Sequence, residues 1–364
     1  MPERFDGAAE ILLHGVLDRA FPAACVEVGR RNGPLWQRAF GALTYDAGAP
    51  ETTTDTIFDL ASLTKVIATA TLAMRAVDSG TLALDRPVGD LLPEWRGADR
   101  ETVTVRDLLT HSSGLPAYLP FFRDCTGRVE FEPAVCHTPL EYTPRSRSVY
   151  SDLGFILLGF ILADAETGGK RLVGRYDPSS TLAAQFRKFA TYITPEPLTF
   201  NPPRSWRERT APTEFDPWRG RLLTGEVHDE NAWALGGEAG HAGLFGTAAG
   251  VGAFARAVLH TIGGQDLLAR AVTFREFIRP ADIAGSSRAL GWDTMRPTSS
   301  CGTRMSATAI GHTGFTGTSL WIDWERDLYV VLLTNRVHPS REPNRIAAIR
   351  PAFHDAVMQA IEGA

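Results

Sequence analysis

The sequence predicts an α+β protein in which an antiparallel β-sheet flanked by helices is interrupted by an inserted, mainly helical lobe. Three observations carry this reading. Both ends of the chain hold short extended runs joined by tight turns, both ends carry a helix of mixed polar and apolar faces, and the middle turns helical and loop-rich. Tight connections make antiparallel neighbours, whereas parallel strands need crossovers of roughly a dozen residues or more. Residues 1–80 and 230–364 are therefore expected to build one core together, with residues 81–229 as the inserted lobe.

The elements follow in chain order. Ile11, Leu12, Val16, Leu17 and Phe21 recur at helical spacing and predict a helix over Ala8–Ala20. Val26–Val28 and Trp36–Leu43 read as strands around Arg30-Arg31-Asn32-Gly33-Pro34, where Asn-Gly tolerates the backbone of a tight hairpin. A helix is expected to open at or near Ser62, and the apolar run Phe155–Ala165 predicts another. Thr194–Trp218 contains six prolines, which remove backbone donors, so a long irregular loop is expected there. Beyond it Ala289–Thr294, Met305–Gly311, Ser319–Trp324 and Tyr329–Thr334 read as strands, the last two joined by a turn at Glu325-Arg326-Asp327. Asn344–Ile361 closes the chain as a helix.

Composition narrows the function. The chain has 364 residues, 44% of them hydrophobic and 22% charged, the balance of a globular protein with a sizeable core. Its net charge of −5, from 37 Lys and Arg against 42 Asp and Glu, leaves no basic field to gather nucleic acid or an anionic membrane. No apolar stretch reaches the roughly 18 to 20 residues of a spanning helix. The start, Met1-Pro2-Glu3-Arg4-Phe5-Asp6, has no apolar signal segment behind it, so a cytoplasmic location is expected. Cys25, Cys125, Cys136 and Cys301 form no CxxC pair or metal spacing and read as reduced thiols, with a Cys125–Cys136 bridge unsupported by any motif.

The chemistry concentrates in three short stretches. In Asp59-Leu60-Ala61-Ser62-Leu63-Thr64-Lys65, a separation of three residues places the Ser62 hydroxyl and the Lys65 amine on one helical face. By itself a serine there is also an ordinary helix cap. Tyr150-Ser151-Asp152 precedes the Phe155 helix, and His312-Thr313-Gly314-Phe315 borders an apolar strand. Taken singly, Tyr150 reads as a core aromatic, Asp152 as a carboxylate at a favourable helix dipole, and His312 as a packing histidine.

In the order S-x-x-K, Y-S-D, H-T-G, at intervals of roughly 85 and 160 residues, these stretches resemble the serine β-lactamase and penicillin-binding-protein superfamily. The likeness is greatest to its class C β-lactamase-like branch of esterases, D-aminopeptidases and muropeptide hydrolases. It extends from about Ala24 to Asn335 and includes Leu108–Pro116 and Ala239–Phe245. The resemblance implies that Ser62 is the nucleophile, that Lys65 and Tyr150 handle its proton with Tyr150 as base, and that the N–H groups of Ser62 and Phe315 hold the oxyanion. Asp152, His312, Thr313 and Gly314 are then the remaining substrate-side residues.

Two positions depart from the superfamily's pattern. Asp152 stands where many relatives have Asn, and a carboxylate near Lys65 would keep that amine charged. His312 stands where many have Lys, which would replace a permanent cation by one titrating near neutrality and weaken carboxylate recognition as pH rises. Either candidate base is poor at a pKa of about 10, so the site is expected to lower one of them. Gly314 and Gly317 are expected to let the strand edge come close to substrate.

Other residues read as structural. The resemblance implies that the His111 motif shapes a loop near the site. His228, Asp229 and His241 match no metal-binding spacing, the glycines of 236–243 are not followed by the G-K-[ST] of a phosphate loop, and no cofactor is implied. The expected partner is a small-molecule ester or amide, cleaved through acyl-Ser62 with little turnover of β-lactams. An acyltransferase using the same intermediate, or a penicillin-binding sensor that does not turn over, would use the same residues. There is no G-x-S-x-G elbow, which argues against the α/β-hydrolase route.

Overall fold

The computed structural model describes residues 2–165 and 181–363; residues 166–180 of the predicted lobe lie outside the described residues. The α-helices in chain order are α1 (Asp6–Leu17), α2 (Thr71–Asp78), α3 (Val105–Leu109), α4 (Gly127–Cys136), α5 (Asp152–Ala165), α6 (Leu182–Ile193), α7 (Glu230–Ala234), α8 (Ala248–Ile262), α9 (Ala271–Ile278) and α10 (Ile346–Glu362). The strands are β1 (Ala23–Arg30), β2 (Gly33–Gly41), β3 (Phe58–Asp59), β4 (Leu198–Phe200), β5 (Phe215–Asp216), β6 (Arg221–Leu222), β7 (Leu244–Gly246), β8 (Asp293–Thr294), β9 (Ile310–Thr313), β10 (Ser319–Asp323) and β11 (Leu328–Thr334).

The two chain ends meet in one six-stranded sheet of order β2-β1-β11-β10-β9-β8, with every neighbouring pair antiparallel. The N-terminal hairpin docks on the C-terminal strand in a register running from Ala24 opposite Thr334 to Gly29 opposite Tyr329. Why β11 is mostly apolar follows from its surroundings, because both sheet faces are covered. Val330 and Leu332 face one side, with Ala24, Val26 and Val28, against Leu12 of α1 and Phe353 and Val357 of α10. Tyr329, Val331 and Leu333 face the other, with Cys25, against Val251, Phe254 and Val258 of α8. Alternate side chains of a strand point to opposite faces, so a strand buried on both leaves room for a polar residue only where it finds a partner, as Glu27 of β1 does with Arg256 and Tyr329.

Three elements differ from expectation. The run Met305–Gly311 becomes a strand only at Ile310, because Ser306 is drawn away by a backbone hydrogen bond to the buried Asp323 carboxylate at 2.8 Å. The Ala289–Thr294 run is broken at Gly291, whose φ of +86° turns the chain, and only Asp293–Thr294 pairs. Within the proline-rich stretch Leu198–Phe200 forms a strand on β7, which also pairs with β3, because Leu198 and Phe200 have an apolar site to enter and free backbone donors between the prolines. Cys125 and Cys136 are not bridged to each other. Among the described residues no helix is long and apolar enough to cross a membrane.

Candidate active site

The turn that delivers Ser62 is built on a buried carboxylate. After β3 the chain passes through Ala61 at φ 47°, a left-handed conformation that costs a residue bearing a Cβ about 1 kcal/mol or more. Asp59 holds it there, accepting from the Ala61 N–H at 2.8 Å through Oδ1 and from the His228 N–H at 2.7 Å through Oδ2. Burial pushes the Asp59 carboxyl above its usual range. Helical structure then begins at Leu63, and Lys65–Ala70 forms a π-helical segment leading into α2. Such wide turns are uncommon and cluster at functional sites.

Lys65 is fully buried, and its three donors are all engaged. Nζ donates to Ser62 Oγ at 3.0 Å and to the His241 carbonyl at 2.9 Å, and lies 2.7 Å from Asp152 Oδ1. The His241 carbonyl can reach this point because Gly240 packs directly on α5, where a Cβ would fall 2.0 Å from the Phe155 carbonyl oxygen. Thr69 adds a hydrogen bond to the Gly240 carbonyl at 2.6 Å.

Tyr150 and Asp152 arrive from the loop before α5. His111 accepts from the Ser151 N–H at 3.0 Å through Nδ1, its carbonyl accepts from Val149 N–H at 2.9 Å, and its ring lies against Tyr150 and Phe155. Ser151 Oγ donates to the Pro116 carbonyl, and the Asp152 N–H to the Ala117 carbonyl. The loop Thr110–Ala117 is therefore the template that sets Tyr150 beside Lys65, whose Nζ lies 4.9 Å from the centre of its ring.

The electrostatics correct the expectation that one candidate base would be lowered. Burial alone would depress the Lys65 ammonium, but Asp152 and Tyr150 outweigh it and the net shift is upward. Tyr150 is also raised: burial is the largest cause, Lys65 opposes it, and Asp152 adds to it. The resting site thus holds an ammonium, a carboxylate and a neutral phenol. His312 does not behave as the expected neutral-range switch. Burial, then Arg288 and Lys65, press its pKa well below 6.5, so it stays uncharged.

The remaining wall is the free edge of the sheet. β8 pairs with β9 only as far as Gly311, leaving His312 and Thr313 paired to β10 alone. His312 Nδ1 hydrogen-bonds the Thr313 carbonyl at 2.8 Å, and among the described residues its buried Nε2 has no partner. Gly314 and Gly317 also allow close approaches within the protein. A Cβ on Gly314 would fall 2.1 Å from Thr318 Oγ1 and 2.5 Å from the Leu60 carbonyl oxygen, and one on Gly317 would meet Thr334 and Arg336. The missing side chain of Gly317 lets the loop after β9 close on the end of β11, and that of Gly314 brings the end of β9 against the Ser62 turn. Thr316 and Thr318 lock the two together through hydrogen bonds to the carbonyls of Asp59 and Leu60 at 2.7 and 3.0 Å. Among the described residues neither the Ser62 N–H nor the Phe315 N–H has an acceptor.

Together these groups line a cleft of about 540 Å³. Several lining residues escaped sequence reasoning because nothing local marks them: Tyr118, Arg288, Arg336, Arg341 and Arg350. His228 pairs with Glu214 at 2.9 Å and stacks on Phe315; burial would raise Glu214, but His228 and Arg341 hold it at about 2. His241 pairs with Asp229 at 2.8 Å, and the charges around Asp229 keep it ionised against its burial. Among the described residues no three His, Cys, Asp or Glu side chains gather as metal ligands.

A serine-bearing turn, a buried lysine, a tyrosine from the loop before α5 and a free sheet edge converge on one cleft, the arrangement of the penicillin-binding-protein-like serine hydrolase class. The sequence profile of the Beta-lactamase family matches residues 8–352, and the chain belongs to that family. An Escherichia coli (strain K12) protein provisionally named D-alanyl-D-alanine carboxypeptidase is 29% identical over 363 residues, covering 90% of this chain and 82% of the relative. Among solved structures, a class C β-lactamase from Rhodobacter sphaeroides superposes with a TM-score of 0.74 at 20% identity, covering 98% of this chain and 99% of that one. EstCE1, a hydrolase with promiscuous acyltransferase activity, superposes with a TM-score of 0.73 at 19% identity, covering 97% and 99%. These two likenesses are of fold.

Proposed function

We propose that this chain cleaves an ester or amide through an acyl-Ser62 intermediate, acting as a peptidase on substrates that carry a carboxylate beside the scissile bond. The observation that carries the reading is the Ser62 hydroxyl 3.0 Å from the Lys65 ammonium, with two unpaired backbone donors on the same cleft. Ser62 Oγ attacks the acyl carbon as its proton passes to the Tyr150 oxygen. The reactive form is the minor one in which that oxygen is a phenolate, supported by the ammonium of Lys65. The oxyanion is held by the N–H groups of Ser62 and Phe315, which need no reorganisation as charge develops. Tyr150 then returns the proton to the leaving amine, and the same two steps with water release the acid.

Arg288 supplies the carboxylate preference. Its guanidinium lies over the Tyr150 ring, 5.0 Å from the centroid, and among the described residues no carboxylate pairs with it. The provisional name of the Escherichia coli relative agrees with that chemistry.

The test is to incubate the protein with an N-acyl-D-Ala-D-Ala peptide, p-nitrophenyl acetate and a chromogenic cephalosporin, following product release and intact mass. Release of D-alanine, an acyl adduct on Ser62, and a loss of at least ~10³-fold in Ser62→Ala support the reading. Undiminished turnover by Ser62→Ala would remove it. A stable cephalosporin adduct without peptide turnover would favour a sensor, and acyl transfer to added amines would favour a transferase.

A further inference from the structure

The Phe315 N–H belongs to the Gly314–Phe315 peptide unit, which is planar and trans, so its C=O and N–H point in opposite directions and fixing one aims the other. The carbonyl of that unit is held from behind. Arg350 of α10 donates from Nη2 to the Gly314 carbonyl at 2.7 Å and to the Thr318 carbonyl at 3.0 Å, spanning both ends of the turn. The Gly314 carbonyl also accepts from the Gly317 N–H at 3.1 Å. The next carbonyl, of Phe315 itself, accepts from Arg336 Nε at 2.7 Å, and the Arg336 guanidinium covers the Phe315 ring at 4.4 Å. Among the described residues neither arginine pairs with a carboxylate, so their charge is directed at backbone carbonyls.

We propose that Arg350, backed by Arg336, is a positioning residue for the oxyanion site: it clamps the Gly314–Phe315 peptide so that the Phe315 N–H stays aimed into the cleft and polarised for a developing negative charge. The proposal rests on the acyl-Ser62 reading, since only a tetrahedral intermediate requires that donor. Hydrogen bonds from a charged donor are shorter and stronger than neutral ones, and they polarise the groups in line with them. Burial lowers the Arg350 guanidinium only to about 10, which leaves it charged at neutral pH.

The experiment compares Arg350→Met and Arg350→Lys with the parent protein in three measurements. These are the acylation rate and half-saturation with p-nitrophenyl acetate, the affinity for phenylboronic acid, and the amide ¹H–¹⁵N resonance of Phe315 in the free protein. Phenylboronic acid forms a tetrahedral adduct on a reactive serine and so requires the oxyanion donors. In Arg350→Met, acylation and boronate affinity are expected to fall together by ~10- to 100-fold, with half-saturation within about twofold and a displaced Phe315 resonance. Arg350→Lys, which keeps the charge but reaches one carbonyl, should retain more of each, and it carries the comparison if the methionine variant does not fold. Raised half-saturation with unchanged acylation would overturn the proposal by making Arg350 a substrate-binding group, and so would an unmoved Phe315 resonance with unchanged boronate affinity. A parent protein that neither acylates nor binds boronate, or an active Ser62→Ala, would fail the hydrolase reading instead, while the Phe315 resonance would still report on the clamp.

Discussion

Two cavities in this molecule are both lined by arginines and carboxylates, and the arginines are partnered differently in each. The larger, about 740 Å³, is lined by Asp85, Arg106, Asp107, Arg145, Glu276 and Arg279. Its arginines all have carboxylate partners: Arg106 with Asp85 and Glu276, Arg145 with Asp107, and Arg279 with Glu276. The cleft at Ser62 is smaller, yet Arg288, Arg336 and Arg350 lack such partners among the described residues, and the donors at Ser62 and Phe315 are unfilled. Unpaired polar groups cost stability and persist where a ligand completes them. Volume therefore marks room, and unmet bonding capacity marks chemistry.

The sharpest way to break that contrast is to remove the proton acceptor. Tyr150→Phe should reduce kcat/KM on activated esters by ~10²- to 10⁴-fold, the usual worth of a positioned base. Near-parental turnover would hand the role to Lys65. Next comes pH. With both Tyr150 and Lys65 raised above their ordinary values, the fraction of free base grows about tenfold per pH unit below its pKa, so kcat/KM should climb from pH 6 into the alkaline range without a plateau near neutrality.

Asp152→Asn tests the cause. It removes a charge that raises Tyr150, so the climb should level off at a lower pH than in the parent, and an unmoved profile would count against the assignment. The Lys65–Asp152 pair also carries a stability consequence. Its lysine is raised on folding, so its contribution is complete below pH 10.5 and is lost as pH rises through the folded value.

A smaller effect is expected at Arg288→Ala: KM for a carboxylate-bearing substrate should rise about tenfold, as for a lost charged hydrogen bond, with neutral esters unaffected. Equal losses on both substrates would mean that Arg288 supports Tyr150 instead. Smallest of all, Arg106→Ala in the larger cavity should cost at most about 1 kcal/mol in unfolding measurements and leave kcat/KM unchanged, because its pairs are partly exposed and face no reacting group.

What the chain order of residues determined here was the set of chemical parts and much of the sheet. The continuous apolar run of β11 fixes a strand whose two faces must both be covered, and the three-residue separation of Ser62 and Lys65 is a property of any helix that contains them. Only the tertiary structure decided which charges prevail. Whether Tyr150 is raised or lowered depends on burial and on Asp152 standing 2.7 Å from Lys65, distances between segments some 85 residues apart that no local pattern encodes. The same holds for Arg288, Arg336 and Arg350. As isolated arginines they have no signature, and they line the cleft because folding leaves them facing it, two of them bonded to the carbonyls of Phe315 and Gly314. Helical and strand periodicity is a short-range property of the chain, whereas desolvation and Coulomb energy depend on everything packed around a group, and that surrounding exists only after folding.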